Sequence, residues 1–388
     1  MALAYLVAPA GHPNYGDELI TRSWLDYLRE HHPDTEVWLD CHTPGVAAHL
    51  FLDAHPRLRI TNTLWRLIHD AGGQPANDRR AFIRDRIHNF GTPEYDLGLL
   101  TLRRASTIHL LGGGYVNAKW EHHIGLLWGI SAVTEVSNAT AHATGQGLMP
   151  VIGNGTEIME AFEAFTSVSC RDAESAAVLG ITSGLDDAFL STEVRTPRPA
   201  AEAPDMVVCI QSDQAEEPMF RTALANARAI ASAVRESGGR VAYVEAIPGA
   251  DHAAYSELDE VVDQFIPFTE VWTRGIPTAP GQKWVTTRFH LHLVAAAAGA
   301  AGLAVSVDPD YYSTKHRSLL DLGTGWAYVD TPDQLATPTS SPSFTNRVRG
   351  LAPRKVREAD AIYSALESRP AGRSPGKNRI PRILRRSN

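Results

Sequence analysis

Arg288 and His290 stand two residues apart in Thr286-Thr287-Arg288-Phe289-His290, at the end of a short β-rich run. A segment made almost wholly of Ala, Val, Leu and Gly follows, residues 293–305. An arginine held by the fold offers a planar fork to a carboxylate or phosphate. A histidine near its ordinary pKa delivers or accepts a proton at neutral pH. The pair suits proton transfer on a small anionic substrate. Taken alone, it equally suits a surface arginine beside a structural core histidine.

Other short motifs fall at similar places. Asn14-Tyr15-Gly16-Asp17-Glu18 follows the first apolar run and opens a helical pattern. Asn14 or Asp17 can cap that helix, whose N-terminus attracts anions, and Asp17 is also a candidate base. The spacing is not that of a dinucleotide fingerprint. Gly112-Gly113-Gly114 ends the strand-like run 107–111. Three glycines suit either a backbone closely approached by ligand or amides facing an anion. Gly145-Gln146-Gly147 with Pro150, then Ser169-Cys170-Arg171-Asp172, repeat the pattern of strand, turn and helix start. Asp172 caps the helix, and Arg171 is free to turn into a cleft or to form a surface pair. Tyr312 and Lys315 follow a later strand and add a third cation. His42, His109, His122, His123 and His142 lack ligand spacing with nearby Cys, Asp or Glu, so no metal is expected.

The elements that must position these residues alternate along the chain. Strand-like runs are 5–8, 37–39, 107–111, 140–144 and 167–170, then 206–210, 241–244, 270–272, 284–287, 303–307 and 326–329. Helical patterns cover 17–31, 121–137, 158–165 and 173–179, then 219–236, 254–265 and 289–300. This alternation predicts an α/β fold of two doubly wound, Rossmann-like domains with mainly parallel sheets. Residues 191–205, rich in Pro and Ala, read as the linker between domains 1–190 and 206–345. A helical segment, 346–368, is expected to pack back across the first domain. Two such domains set the carboxyl ends of their strands toward a shared cleft.

Composition narrows the class of protein. A hydrophobic content of 44% supports full cores. The three cysteines, Cys41, Cys170 and Cys209, have no paired spacing, which suits a reducing compartment. No signal peptide or membrane-length apolar run is apparent, so a cytoplasmic protein is expected. The net charge is −8, although residues 369–388 carry seven basic side chains and no acid. The body is therefore strongly acidic, which argues against nucleic acid as the substrate. The basic tail reads as disordered, either solubilising or weakly attracted to the inner face of the membrane.

In this order the motifs resemble the polysaccharide pyruvyl transferase family. The matching residues are Asn14/Gly16/Asp17, Gly112–Gly114, Gly145–Gly147 with Pro150, Ser169/Arg171/Asp172/Ser175, Arg288/His290 and Tyr312/Lys315. One departure is Thr287-Arg288-Phe289-His290 where the family has Ser-Arg-Leu-His, which keeps the pair but changes the pocket wall. The resemblance implies two domains similar to the GT-B glycosyltransferase architecture. It also implies transfer of an enolpyruvyl group from phosphoenolpyruvate to two hydroxyls of a sugar, free or lipid-linked, forming a cyclic ketal and phosphate. Phosphoenolpyruvate is then a co-substrate, with no separate cofactor. Arg171, Arg288 and Lys315 would hold it, His290 would protonate its methylene carbon, and Asp17 with the glycine turns would face the sugar. Gln146, Asn14 and Tyr312 join the expected binding set. A nucleotide-sugar glycosyltransferase and a non-catalytic sugar-binding protein remain open on the residues alone.

Overall fold

The structure is a computed structural model describing residues 2–196 and 203–367, without the side chains of residues 309–313, 365 and 367. Part of the expected linker, the basic tail and the side chain of Tyr312 lie outside the described residues. Twelve strands form two all-parallel sheets. The first contains β1 (Leu3–Val7), β2 (Glu36–Asp40), β3 (Leu58–Thr61), β4 (Thr107–Leu110), β5 (Thr140–Gln146) and β6 (Ser167–Cys170). The second contains β7 (Met206–Cys209), β8 (Val241–Val244), β9 (Gln264–Ile266), β10 (Lys283–Thr286), β11 (Ala301–Val305) and β12 (Ala327–Val329). Their orders, β3-β2-β1-β4-β5-β6 and β12-β11-β10-β7-β8-β9, are one topology used twice. In each sheet the order reverses at the centre, between β1 and β4 and between β7 and β10. Such switch points leave a crevice beyond the strand carboxyl ends where ligands bind.

Helices cover both faces of these sheets, so the central strands are buried and read as apolar runs. Asn14 caps the helix Tyr15–His31 by accepting from the Gly16 N–H, and Asp17 and Glu18 occupy its first turn. Asp172 caps Ala173–Leu179 through the Ser175 N–H. Near the boundary, Thr192–Arg195 is a helical turn whose Val194 is buried in a core shared by both halves. The long final helix, Phe344–Glu367, returns to the first half. There its fully buried Lys355 pairs with Asp187 at 2.5 Å, and Tyr363 Oη meets His109 Nδ1 at 2.8 Å.

Three expectations about the elements need correction. Residues 270–272 belong to the helix Phe268–Arg274, whose Phe268 and Val271 are buried three residues apart on one face. The expected helix 254–265 divides into His252–Ser256, a single turn at Asp259–Val261, and edge strand β9. Strand β3, an outer strand of the first sheet, and the helices within 44–102 were not expected. Among the described residues no helix is long and apolar enough to cross a membrane.

Candidate active site

A cavity of about 750 Å³ lies where the two switch points face each other. Its walls come from loops after β1 (Asn14, Asp17), β4 (Gly114), β6 (Arg171), β7 (Gln211, Asp213), β10 (Arg288, His290) and β11 (Lys315). Residues dispersed over 300 positions meet because each follows the carboxyl end of a parallel strand.

His290 sits in the first turn of Phe289–Ala297. Its Nε2 lies 3.2 Å from Asp186 Oδ1 and donates its hydrogen to that carboxylate. Nδ1 is turned toward Gly16 so closely that a Cβ there would collide with it. Gly16 is therefore a steric requirement, and Nδ1 is the ring nitrogen that Asp186 does not engage. Asp186 also receives Arg171 Nη1 at 3.0 Å and the Ala188 N–H at 2.9 Å. Burial alone would push its carboxyl pKa up. The charges of His290 and Arg171 outweigh burial and hold it well below the usual carboxylate range. One buried carboxylate thus orients both an imidazole and a guanidinium.

Arg171 is only 6% exposed. Its guanidinium carbon lies 4.5 Å from the ring centroid of Phe289, so the residue that departs from the family pattern forms a cation–π platform across the two halves. A Cβ on Gly114 or Gly147 would lie 2.9 or 2.8 Å from guanidinium nitrogens of Arg171. Those glycines make room for the arginine. Lys315 packs beside it, with Cε 3.2 Å from the same hypothetical Gly114 Cβ. Burial, then repulsion from Arg171, lower the Lys315 pKa well below the usual ammonium value, with Asp17 opposing. Burial raises the Asp17 pKa against the pull of His290, Lys315 and Arg171. Arg288 is held by two carboxylates, Asp251 Oδ1 (2.5 Å) and Asp213 Oδ1 (2.8 Å).

Gly112, Gly113 and Gln146 stand behind the cavity wall, contrary to their expected place in the binding set. The Gly112 N–H donates to Asp187 Oδ2 at 2.8 Å, so the anion facing this turn is an internal carboxylate. Gln146 is fully buried, and its amide donates to the carbonyls of Leu111 and Thr144. Asn14 lines the cavity, caps its helix and donates to Asp17 Oδ2 at 2.7 Å. Tyr312 is placed only by its backbone, on the helix Pro309–Asp321.

Sequence reasoning missed Asp186, Asp213, Asp251 and Glu18. Glu18 accepts from the Gly11 N–H at 2.9 Å and so pins the loop before the first helix. Burial, then the charge of Asp17, raise its pKa from 4.5 to about 8. A carboxyl raised on folding stays protonated while the unfolded chain ionises. Stability is therefore lost as pH climbs from about 4.5 toward 8. Glu18→Gln is expected to match wild type near pH 4 and to exceed it at pH 8 by roughly 2–4 kcal/mol. Urea unfolding at both pH values measures this, and a pH-independent difference would refute it.

The far wall is of another kind. His12, His42, His122, His123 and Trp120 line it. Burial lowers the pKa values of His42 and His123 to about 4, so those rings are uncharged at neutral pH. Among the described residues no group of three or more His, Cys, Asp or Glu is placed to hold a metal ion.

The family model for polysaccharide pyruvyl transferase matches residues 14–263, nearly two thirds of the chain. The chain belongs to this family, whose members are transferases of polysaccharide biosynthesis. Among curated proteins none matches the sequence significantly. Among solved structures, a protein assigned as UDP-N-acetylglucosamine 2-epimerase from Listeria monocytogenes is similar, with TM-score 0.54 and 11% identity over 95% of this chain and 97% of that one. The E. coli heptosyltransferase WaaC with ADP-2-deoxy-2-fluoro heptose has TM-score 0.40 and 12% identity over 82% and 99%. At 11% identity the likeness to the epimerase is one of fold alone, two Rossmann-like domains.

Proposed function

We propose that this protein transfers the enolpyruvyl group of phosphoenolpyruvate to two hydroxyls of a sugar in a polysaccharide or glycolipid precursor, forming a cyclic ketal and phosphate. The observation carrying this reading is the gathering of Arg171, Arg288 and Lys315 around His290, whose Nε2 is engaged by Asp186. Phosphoenolpyruvate brings a phosphate and a carboxylate, and three cations match that charge.

His290 Nδ1 protonates the methylene carbon, and C2 becomes electrophilic. A sugar hydroxyl attacks C2 and passes its proton to Asp17, whose raised pKa makes it the stronger base. Phosphate leaves with the electron pair of the C2–O bond and takes the proton held by Asp17. The second hydroxyl closes the ketal and returns its proton to Nδ1, so His290 is restored. The donor occupies the second-half side, with Arg171 reaching across from the first. The wall formed by the uncharged rings of His42 and His123 with Trp120 receives the sugar ring. Packing of the halves around the cavity keeps water from capturing C2 and releasing pyruvate. No separate cofactor enters, and such a donor places the reaction in the cytoplasm.

Incubation with phosphoenolpyruvate and a panel of neutral sugars, followed by phosphate assay, tests this reading. Phosphate release that depends on the sugar supports it, and none with any sugar counts against it. Arg288→Ala is expected to weaken phosphoenolpyruvate binding by about 1.5–3 kcal/mol, with Arg288→Lys rescuing only part because a point charge lacks the fork. Calorimetry decides, and unchanged affinity in the Ala variant would remove Arg288 from the donor site.

A further inference from the structure

Behind the cavity, in the Ala-rich helix Phe289–Ala297, His292 is fully buried against His316 of the next helix. Two imidazoles in such a place cost more than apolar side chains of equal size unless every polar atom is satisfied. Here every one is. His316 Nε2 lies 3.1 Å from the carbonyl oxygen of Thr287, which can only accept. The His316 hydrogen is therefore on Nε2, and its Nδ1 is an acceptor. His292 Nδ1, 3.1 Å away, must donate to it. His292 Nε2 then accepts from the Thr324 hydroxyl at 3.0 Å. The chain runs one way, from Thr324 through His292 and His316 to Thr287.

Its last two members, His316 and Thr287, adjoin the residues of the proposed anion clamp. Thr287 precedes Arg288, and its Oγ1 also accepts from the Gln211 N–H at 2.9 Å. Thr286 Oγ1 accepts from the Arg288 N–H at 3.1 Å. His316 follows Lys315 on Pro309–Asp321. His292 stacks on Trp326, with centroids 4.4 Å apart, which fixes its ring. We infer that His316, oriented by His292, is a positioning residue that sets the helix bearing Lys315 in register with the strand end bearing Arg288, so that both cations meet one anionic substrate. Burial supports the neutral forms this chain requires, since it holds the His292 pKa well below normal and that of His316 at about 4. The inference rests on the reading of this cavity as a phosphoenolpyruvate site.

The test compares apolar with hydrogen-bonding replacements in the full-length protein. His316→Leu removes the donor to Thr287, whereas His316→Gln keeps an N–H at the Nε2 position. Expected is a rise in KM for phosphoenolpyruvate of about tenfold or more in the Leu variant with kcat changed far less, and recovery toward wild type with Gln. His292→Leu against His292→Asn gives the same contrast one step further back, which keeps the test decisive if His316→Leu does not fold. Selective ¹⁵N-histidine NMR of wild type reads the tautomers directly. Hydrogen on Nε2 of His316 and on Nδ1 of His292 at pH 7 is expected. Equal KM values in Leu variants and wild type, or the opposite tautomers, would overturn the inference. Absence of phosphoenolpyruvate turnover in wild type would instead overturn the proposed function, and the tautomers would still report on the chain.

Discussion

Replacing His290 by alanine is expected to lower phosphate release by about 10²–10⁴-fold, the range for loss of a general acid, while calorimetric affinity for phosphoenolpyruvate stays near that of wild type. The separation follows from geometry. The cations proposed to hold the donor are Arg171, Arg288 and Lys315, which come from three other positions in the cavity wall. Nε2 of His290 is engaged by Asp186, which leaves Nδ1 for the proposed proton transfer. On the proposed reading, removing the imidazole leaves the charge that would bind the donor but no group to protonate its carbon. A variant turning over at near wild-type rate would take His290 out of the chemistry.

Asp186→Ala is expected to have the largest effect on stability, because it strands the buried Arg171 guanidinium. Breaking a buried pair by removing one partner costs roughly 3–5 kcal/mol. The same substitution frees the His290 ring, so turnover should fall even where the protein remains folded. Asp186→Asn separates the two effects. Its amide oxygen can still accept from the Ala188 N–H, but the charge that orients the imidazole and the guanidinium is gone. Urea unfolding should show a smaller loss for Asn than for Ala, with phosphate release reduced in both. Full activity in a folded Asn variant would show that His290 needs no carboxylate behind it.

Much of the fold was legible because buried parallel strands read as short apolar runs bounded by glycine or proline. Strands β6 and β8 match their expected limits, and every central strand was found. Two of the four outer strands, β3 and β9, were missed, whereas β6 and β12 were found. Leu58-Arg59-Ile60-Thr61 and Gln264-Phe265-Ile266 lie at sheet edges, partly exposed, and carry no continuous apolar signal. The segment 270–272 misled because Val271 and Trp272 favour strands, while burial of Phe268 and Val271 at helical spacing decided otherwise.

The cavity side chains were legible for the same topological reason. Asp17, Arg171, Arg288, His290 and Lys315 each follow a strand, and the doubly wound fold turns all those ends to one side. Their partners were not. Asp186 and Asp251 lie in connecting turns without a motif, and only the folded chain shows that each holds a cation. Glycine runs were visible, but their reason differed from the one expected. Gly112 and Gly145 clear space for Asp187, and Gly114 and Gly147 clear space for Arg171.

The most direct measurement follows the donor carbon itself. Phosphoenolpyruvate labelled with ¹³C at C2 is incubated with the protein and a neutral sugar that supports phosphate release, and the label is traced by NMR. The expected result is transfer of the label from an enol carbon to a quaternary ketal carbon bonded to two sugar oxygens, with one phosphate per ketal and no such signal in His290→Ala. Phosphate release with the label recovered only as free pyruvate, and no ketal carbon, would contradict the account.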